Sequence, residues 1–143
     1  MIPKSVKSIG SSAFYGCKNL TNINVSSENE NYTSVDGVLY NKDVTKLITC
    51  PGGQTSIEIP ASITSIRDGM FYYYSSLTSI KIPASVTSIE YGAFSNCRSL
   101  ENINSWIQAD NATSFKSKFV NCLNFCKGVI YPNLFLGLEF KMF

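Results

Sequence analysis

Residues 82–100 read IPASVTSIEYGAFSNCRSL, residues 59–77 read IPASITSIRDGMFYYYSSL, and residues 2–20 read IPKSVKSIGSSAFYGCKNL. Self-similarity of this kind outranks other sequence signals, because it says that the fold is made by stacking one unit. Pro60 and Pro83, Phe71 and Phe94, and Leu77 and Leu100 all recur at the same interval, a period of 23. The first copy keeps the same internal offsets through Pro3, Phe14 and Leu20. It stands ahead of the second by one period and a long insertion. The repeat is therefore regular and interrupted once.

The pattern within a unit says what the stack buries. Leu77, Ile80 and Ile82 are separated by polar residues, as expected of a short half-buried strand. Pro83 lacks an N–H and fixes φ, so it ends the strand and turns the chain. Val86 and Ile89 then face inward from a second extended piece. Gly92-Ala93-Phe94 opens a compact turn of helical or 3₁₀ character, with Phe94 and Cys97 on one face. No unit of this length buries its apolar face alone, so the copies are expected to stack into a solenoid with ladders of Ile, Leu and Phe.

The pattern L-x-x-I-x-I-P-x-x-V-x-x-I-x-x-x-A-F-x-x-C, nearly complete in LTSIKIPASVTSIEYGAFSNC at 77–97, resembles the BspA-like (Treponema-type) class of leucine-rich repeat. The segment NYTSVDGVLYNKDVTKLITCP at 31–51 resembles a hairpin that recurs between repeats of that class. The resemblance implies an α/β repeat solenoid, a right-handed β-α superhelix of about four repeats with one inserted β-hairpin. It covers residues 2 to about 104 and fades beyond, where Trp106 stands in place of the next proline. The expected units are residues 2–25, 54–81, 82–104 and a degenerate 105–132, with the hairpin at 26–53 and an apolar tail at 133–143. In the degenerate unit FVNC at 119–122 echoes FSNC at 94–97.

Composition narrows the function. A net charge of +2 over 143 residues, with no basic run, argues against nucleic acid as partner. The tail NLFLGLEFKMF contains Glu139 and Lys141 and is too short to span a bilayer. The N-terminus MIPKSVKS shows no signal peptide and opens inside a repeat, as a fragment of a longer chain does. There is no histidine, and the five cysteines (Cys17, Cys50, Cys97, Cys122, Cys126) form no C-x-x-C pair, which leaves metal and cofactor sites without their usual ligands. Cys17 and Cys97 share a repeat position that Tyr74 fills in the middle copy, so the cysteines read as buried packing residues. A catalytic cysteine would have only Lys as an available base, the carboxylates form no recurrent pair, and PGGQTS at 51–56 lacks the lysine and helix of a phosphate loop. The chain does not read as an enzyme, and no cofactor is expected.

The insertion reads as a hairpin of SVDGVLY and KLITC joined by NKDVT, with Val35, Val38, Tyr40, Leu47 and Ile48 on its buried face. Its role is either a lateral brace or a binding protrusion. The apolar tail is either a cap on the last repeat or a strand seeking a neighbour; the second alternative predicts end-to-end self-association.

Function is then expected on exposed positions that vary between copies. With Ile80 and Ile82 inward, Ser79 and Lys81 point outward; the period adds Ser56 and Glu58, then Asn102 and Asn104, and the first copy supplies Asn22 and Asn24. Tyr72, Tyr73 and Tyr91, with Tyr15, form an aromatic patch on the turn side, and tyrosine is favoured in recognition surfaces. The family resemblance implies an exported, cell-surface adhesion module that binds a protein of a host cell, a neighbouring cell or the extracellular matrix. A glycan-binding module and a structural spacer are the alternatives.

Overall fold

The computed structural model describes residues 1–105. Within them lie eight short strands: β1 (Tyr32–Val35), β2 (Val38–Asn41), β3 (Leu47–Thr49), β4 (Ser56–Glu58), β5 (Ser65–Ile66), β6 (Ser79–Ile82), β7 (Ser88–Ile89) and β8 (Asn102–Ser105). The degenerate copy from 105, Cys122, Cys126 and the apolar tail lie outside the described residues.

The repeat period appears directly as strand register. β4, β6 and β8 form a parallel sheet in which Ile57 opposes Ile80 and Ile80 opposes Ile103. β5 and β7 form a second parallel pair, with Ile66 opposite Ile89. Every partner is therefore one full period away. The prolines act alike in each copy: the amides of Val6, Ile63 and Val86 donate to the carbonyls of Pro3, Pro60 and Pro83. Ile57, Ile80 and Ile103, Ile59 and Ile82, Ile63 and Val86, and Leu77 and Leu100 are all buried, forming the ladders that the alternation predicts. Each such side chain contributes about 1.5–3 kcal/mol through removal of apolar area from water.

The β-α detail of the expected superhelix is not seen among the described residues. Among the described residues no helix occurs, and the segment after the second strand of each unit is a run of turns. Gly92 (φ 71°) and Asn96 (φ 63°) are both left-handed, as are Gly69 and Tyr73 one unit earlier. Two left-handed residues four apart prevent a right-handed helical turn from propagating. The backbone is satisfied instead by single i→i+3 bonds, from Ala93 to Glu90, Ser95 to Gly92 and Cys97 to Phe94. The leucine-rich repeat fold stands, and the compact turn expected at Gly92-Ala93-Phe94 takes i→i+3 bonds and no α-helix.

The insertion also differs from the expected hairpin. It is a three-stranded antiparallel meander, β1-β2-β3. SVDGVLY is two strands, split by a tight turn at Asp36 (φ 51°) and Gly37 (φ 80°). An Asp-Gly pair between apolar runs is a strong local hairpin signal. Val38, Tyr40 and Leu47 join the main core, whereas Val35 and Ile48 are only half-buried. Leu39, not anticipated, is fully buried outside that cluster, as is Ile23. Both faces of β2 are therefore covered. Asn29 anchors its entry: its side-chain amide donates to the carbonyls of Pro3 and Val6, and its oxygen accepts from the amides of Asn31 and Tyr32.

Candidate functional site

Two surfaces carry the exposed residues singled out in the sequence. The first is the outer face of β4-β6-β8. Ser56, Ser79 and Asn102 stand in one cross-strand row, and Glu58, Lys81 and Asn104 hold the register positions of the next. Alternation places Ser56, Glu58, Ser79, Lys81 and Asn102 outward, because their neighbours Ile57, Ile80, Ile82 and Ile103 are buried. Ser79 Oγ bonds Ser56 Oγ at 2.8 Å, and Lys81 Nζ pairs with Glu58 Oε1. Both partners of that ion pair are more than half exposed, so its worth is small. The face is polar, and Glu58 and Lys81 balance its charge.

Asn22 and Asn24 are exposed but do not extend these rows. β4 is an edge of its sheet, and the Asn22–Val25 segment pairs on its other side with Ile2. Between Asn22 and Gln54 sits the Asp36-Gly37 turn. The Ile23 amide donates to the Gly37 carbonyl, and Gln54 Nε2 donates to the Asp36 carbonyl. Gly37 holds a left-handed φ of 80°, and a Cβ there would also meet the Asn22 backbone at 3.1 Å, which explains the glycine. The continuous stripe expected from the period is broken at the insertion.

The second surface lies on the turn side and is governed by how adjacent turns meet. Between the second and third copies they close tightly. The amides of Phe71 and Tyr73 donate to the carbonyls of Ala93 and Ser95. The rings of Phe71 and Phe94 stack at 4.7 Å and 3°. Cys97 Sγ donates to the Phe71 carbonyl at 2.9 Å. Between the first and second copies the insertion intervenes, and no backbone hydrogen bond joins turn 10–18 to turn 67–74 among the described residues. Instead Gly52 and Gly53 press against the backbone of 17–20, where added Cβ atoms would meet carbonyl oxygens at 3.0 and 2.9 Å. The two glycines of PGGQTS thus serve close packing.

An open groove of about 750 Å³ results, walled by the turns 11–18 and 67–74 and floored by Ile48, Thr49 and Gly52. Tyr15, Tyr72 and Tyr73 line it, whereas Tyr91 lies elsewhere on the surface. The Tyr72 and Tyr73 rings meet edge to face at 5.1 Å. Lys18, Arg67 and Asp68 supply its charge. Tyr73 holds φ 65° at a repeat position that is Gly16 in the first copy and Asn96 in the third. A bulky aromatic residue is uncommon in that conformation.

The shared Cys/Tyr position also needs revision. Cys97 is fully buried, but Cys17 is exposed and lines the groove, so the expectation of uniformly buried thiols fails there. Tyr74 directs its hydroxyl to the carbonyl of Cys50, reaching across the space that the insertion opens. In the second and third copies the position donates to a carbonyl of the preceding segment, a chemistry that Cys and Tyr share. Burial raises the Tyr74 pKa to about 12 and pushes the Cys50 thiol well up as well. Neither group is poised to ionise near neutral pH.

The repeat geometry agrees with known proteins. A model of the BspA type leucine rich repeat region matches residues 1–126 in six copies. Similar solved structures include the pneumococcal vaccine antigen PcpA, with a TM-score of 0.62 and 33% identity, covering 73% of this chain and 26% of that one. A leucine-rich repeat protein from Eubacterium ventriosum gives 0.63 and 29%, covering 90% and 41%. A leucine rich cell surface protein from Faecalibacterium prausnitzii gives 0.61 and 28%, covering 86% and 39%. The chain thus spans less than half the length of each. No curated protein matches it in sequence. With a family match over most of its length and the period written into its strand register, the chain belongs to the BspA type leucine-rich repeat family.

Proposed function

We propose that the chain is a non-enzymatic binding module that holds a protein partner against the outer face of β4, β6 and β8, within a larger protein displayed at a bacterial cell surface or secreted. The observation that carries this reading is the cross-strand register of Ser56, Ser79 and Asn102 beside Glu58, Lys81 and Asn104. Ser56, Glu58, Ser79, Lys81 and Asn102 give an array of donors and acceptors at strand spacing on a scaffold whose opposite face is core. Rigid presentation limits the ordering cost of association. The relatives support the setting: one is described as a vaccine antigen and one as a cell surface protein. No helix among the described residues is long and apolar enough to cross a membrane.

The test is binding to immobilised extracellular-matrix proteins, before and after their deglycosylation, with Ser79→Arg and Asn102→Arg as face variants. Saturable binding that survives deglycosylation and falls at least tenfold in both variants supports the reading. Saturable binding that ignores both variants, or that is lost on deglycosylation, overturns it, and no saturable binding at all points to a spacer.

A further inference from the structure

We propose that the groove between turns 10–18 and 67–74 is a second binding site, and that its occupant is an anionic oligosaccharide. The inference is independent of the strand face, since no residue is shared between the two surfaces.

The size fits a small ligand: about 750 Å³ lies within the usual range of ligand pockets, roughly 300–1,000 Å³. The chemistry of the walls selects the class. Tyr72 and Tyr73 are each a little under half exposed, at 43% and 45%, and Tyr15 is 77% exposed. Together they offer aromatic faces for the C–H face of a pyranose and hydroxyls for its hydroxyl groups. Tyrosine supplies this mixed surface with few rotatable bonds. Lys18, Arg67 and Asp68 line it, two cations against one carboxylate, so the groove carries a cationic excess that complements a uronate or sialate carboxylate. The Arg67 guanidinium is steadied by the Leu47 carbonyl at 3.5 Å.

A peptide fits less well. Extended peptides depend on main-chain bonds to a strand edge, and both walls are turns, in which the amides of Ala13, Tyr15, Cys17, Met70, Tyr72 and Tyr74 already serve i→i+3 bonds. An amphipathic helix needs a continuous apolar floor, and here Thr49 and Gly52 interrupt it. The backbone of Tyr73 adds a separate argument. The left-handed conformation would suit Asn or Gly, as at the equivalent positions in the other copies. Keeping tyrosine there costs stability, and what it gains is an aromatic ring at the groove.

That strain makes the test clean, because Tyr73→Asn relieves it instead of disrupting the fold. The full chain and the variants Tyr73→Asn and Lys18→Glu/Arg67→Glu would be applied to an immobilised panel of neutral oligosaccharides, oligosaccharides carrying uronate or sialate, and acidic peptides. The expected result is selective retention on acidic glycans, weakened at least tenfold by each variant, with the Tm of Tyr73→Asn unchanged or raised. Equal retention on neutral glycans overturns the charge assignment. Retention on acidic peptides alone, no glycan retention, or glycan retention indifferent to both variants overturns the site.

Discussion

The same turn segment meets its neighbour in two ways. Between the second and third copies the period is unbroken, so identical positions coincide and the seam closes around Phe71, Phe94, Ala93 and Cys97, each 0% exposed. Between the first and second copies the insertion holds the turns apart. There Phe14 is only half-buried, and the Phe14 and Gly16 amides, equivalent to those of Phe71 and Tyr73, make no backbone hydrogen bond among the described residues. The residue types hardly change between the two seams; the spacing does. A repeat protein gains scaffold where its period is kept and a concave surface where it is interrupted.

The largest expected difference lies in the phenylalanine ladder. Phe71→Ala should destabilise by about 3–5 kcal/mol, as cavity-forming changes at sealed sites do. Phe14→Ala, at the equivalent but open position, should cost about 1–2 kcal/mol, because less area is buried and no sealed cavity forms. Urea denaturation of both variants measures the gap, and equal losses would break the comparison.

Asn29 holds the insertion to the first copy. Asn29→Ala leaves the Pro3 and Val6 carbonyls and the Asn31 and Tyr32 amides without their bonds, which should cost about 2–4 kcal/mol. Hydrogen exchange should show the loss concentrated in residues 2–35, with the amides of β6 and β7 retaining protection. Uniform loss across both regions would mean that the seams are not energetically distinct.

Two buried tyrosines sharpen the point at smaller scale. Tyr74→Phe removes the donor to the Cys50 carbonyl and should cost about 1 kcal/mol. Tyr40 is buried with its hydroxyl unpartnered, so Tyr40→Phe should be neutral or slightly stabilising. The Tyr74 pKa is raised from 10.0 to about 12 by desolvation first and by the neighbouring Cys50 next. Its neutral form is therefore the one the fold favours. The associated stability is complete below pH 10 and is lost as pH rises to about 12. Denaturation midpoints followed across that alkaline range should fall less steeply in Tyr74→Phe than in the parent chain.

The smallest effect belongs to the strand face. A double-mutant cycle on Glu58 and Lys81 should return a coupling of at most about 0.5 kcal/mol, weaker still in high salt. A larger value would mean that the pair braces the sheet, which would weaken its assignment to partner contact.

The sequence was most legible where one residue type repeats at one interval. Ile57, Ile80 and Ile103 disclosed both the register and the inward face, because the pleat and the period leave only one arrangement that buries all three. Legibility failed where an effect depends on what is stacked beside a residue. Cys17 and Cys97 are indistinguishable by repeat position, yet one is exposed and the other sealed. Asn22 and Asn24 occupy the expected offsets, but the Asp36-Gly37 turn of the insertion lies where the next strand of the stripe should be. Some missed features did carry a local signal. Asp36-Gly37 announces the turn that divides the insertion, and Gly92 with Asn96 announces a segment unsuited to helix. The groove carried a signal only in its tyrosines, Tyr15, Tyr72 and Tyr73; its concavity carried none, since its two walls are separated in the chain by the whole insertion.

The central claim, that interruption of the period opens one seam and leaves the next closed, is tested most directly by native-state hydrogen exchange at equivalent amides. Those of Phe71 and Tyr73 donate across the closed seam to Ala93 and Ser95, whereas the equivalent amides of Phe14 and Gly16 make no backbone hydrogen bond among the described residues. Phe71 and Tyr73 should exchange at least a hundredfold more slowly than Phe14 and Gly16. Comparable rates at the two pairs, or protection of Phe14 and Gly16, would contradict the account.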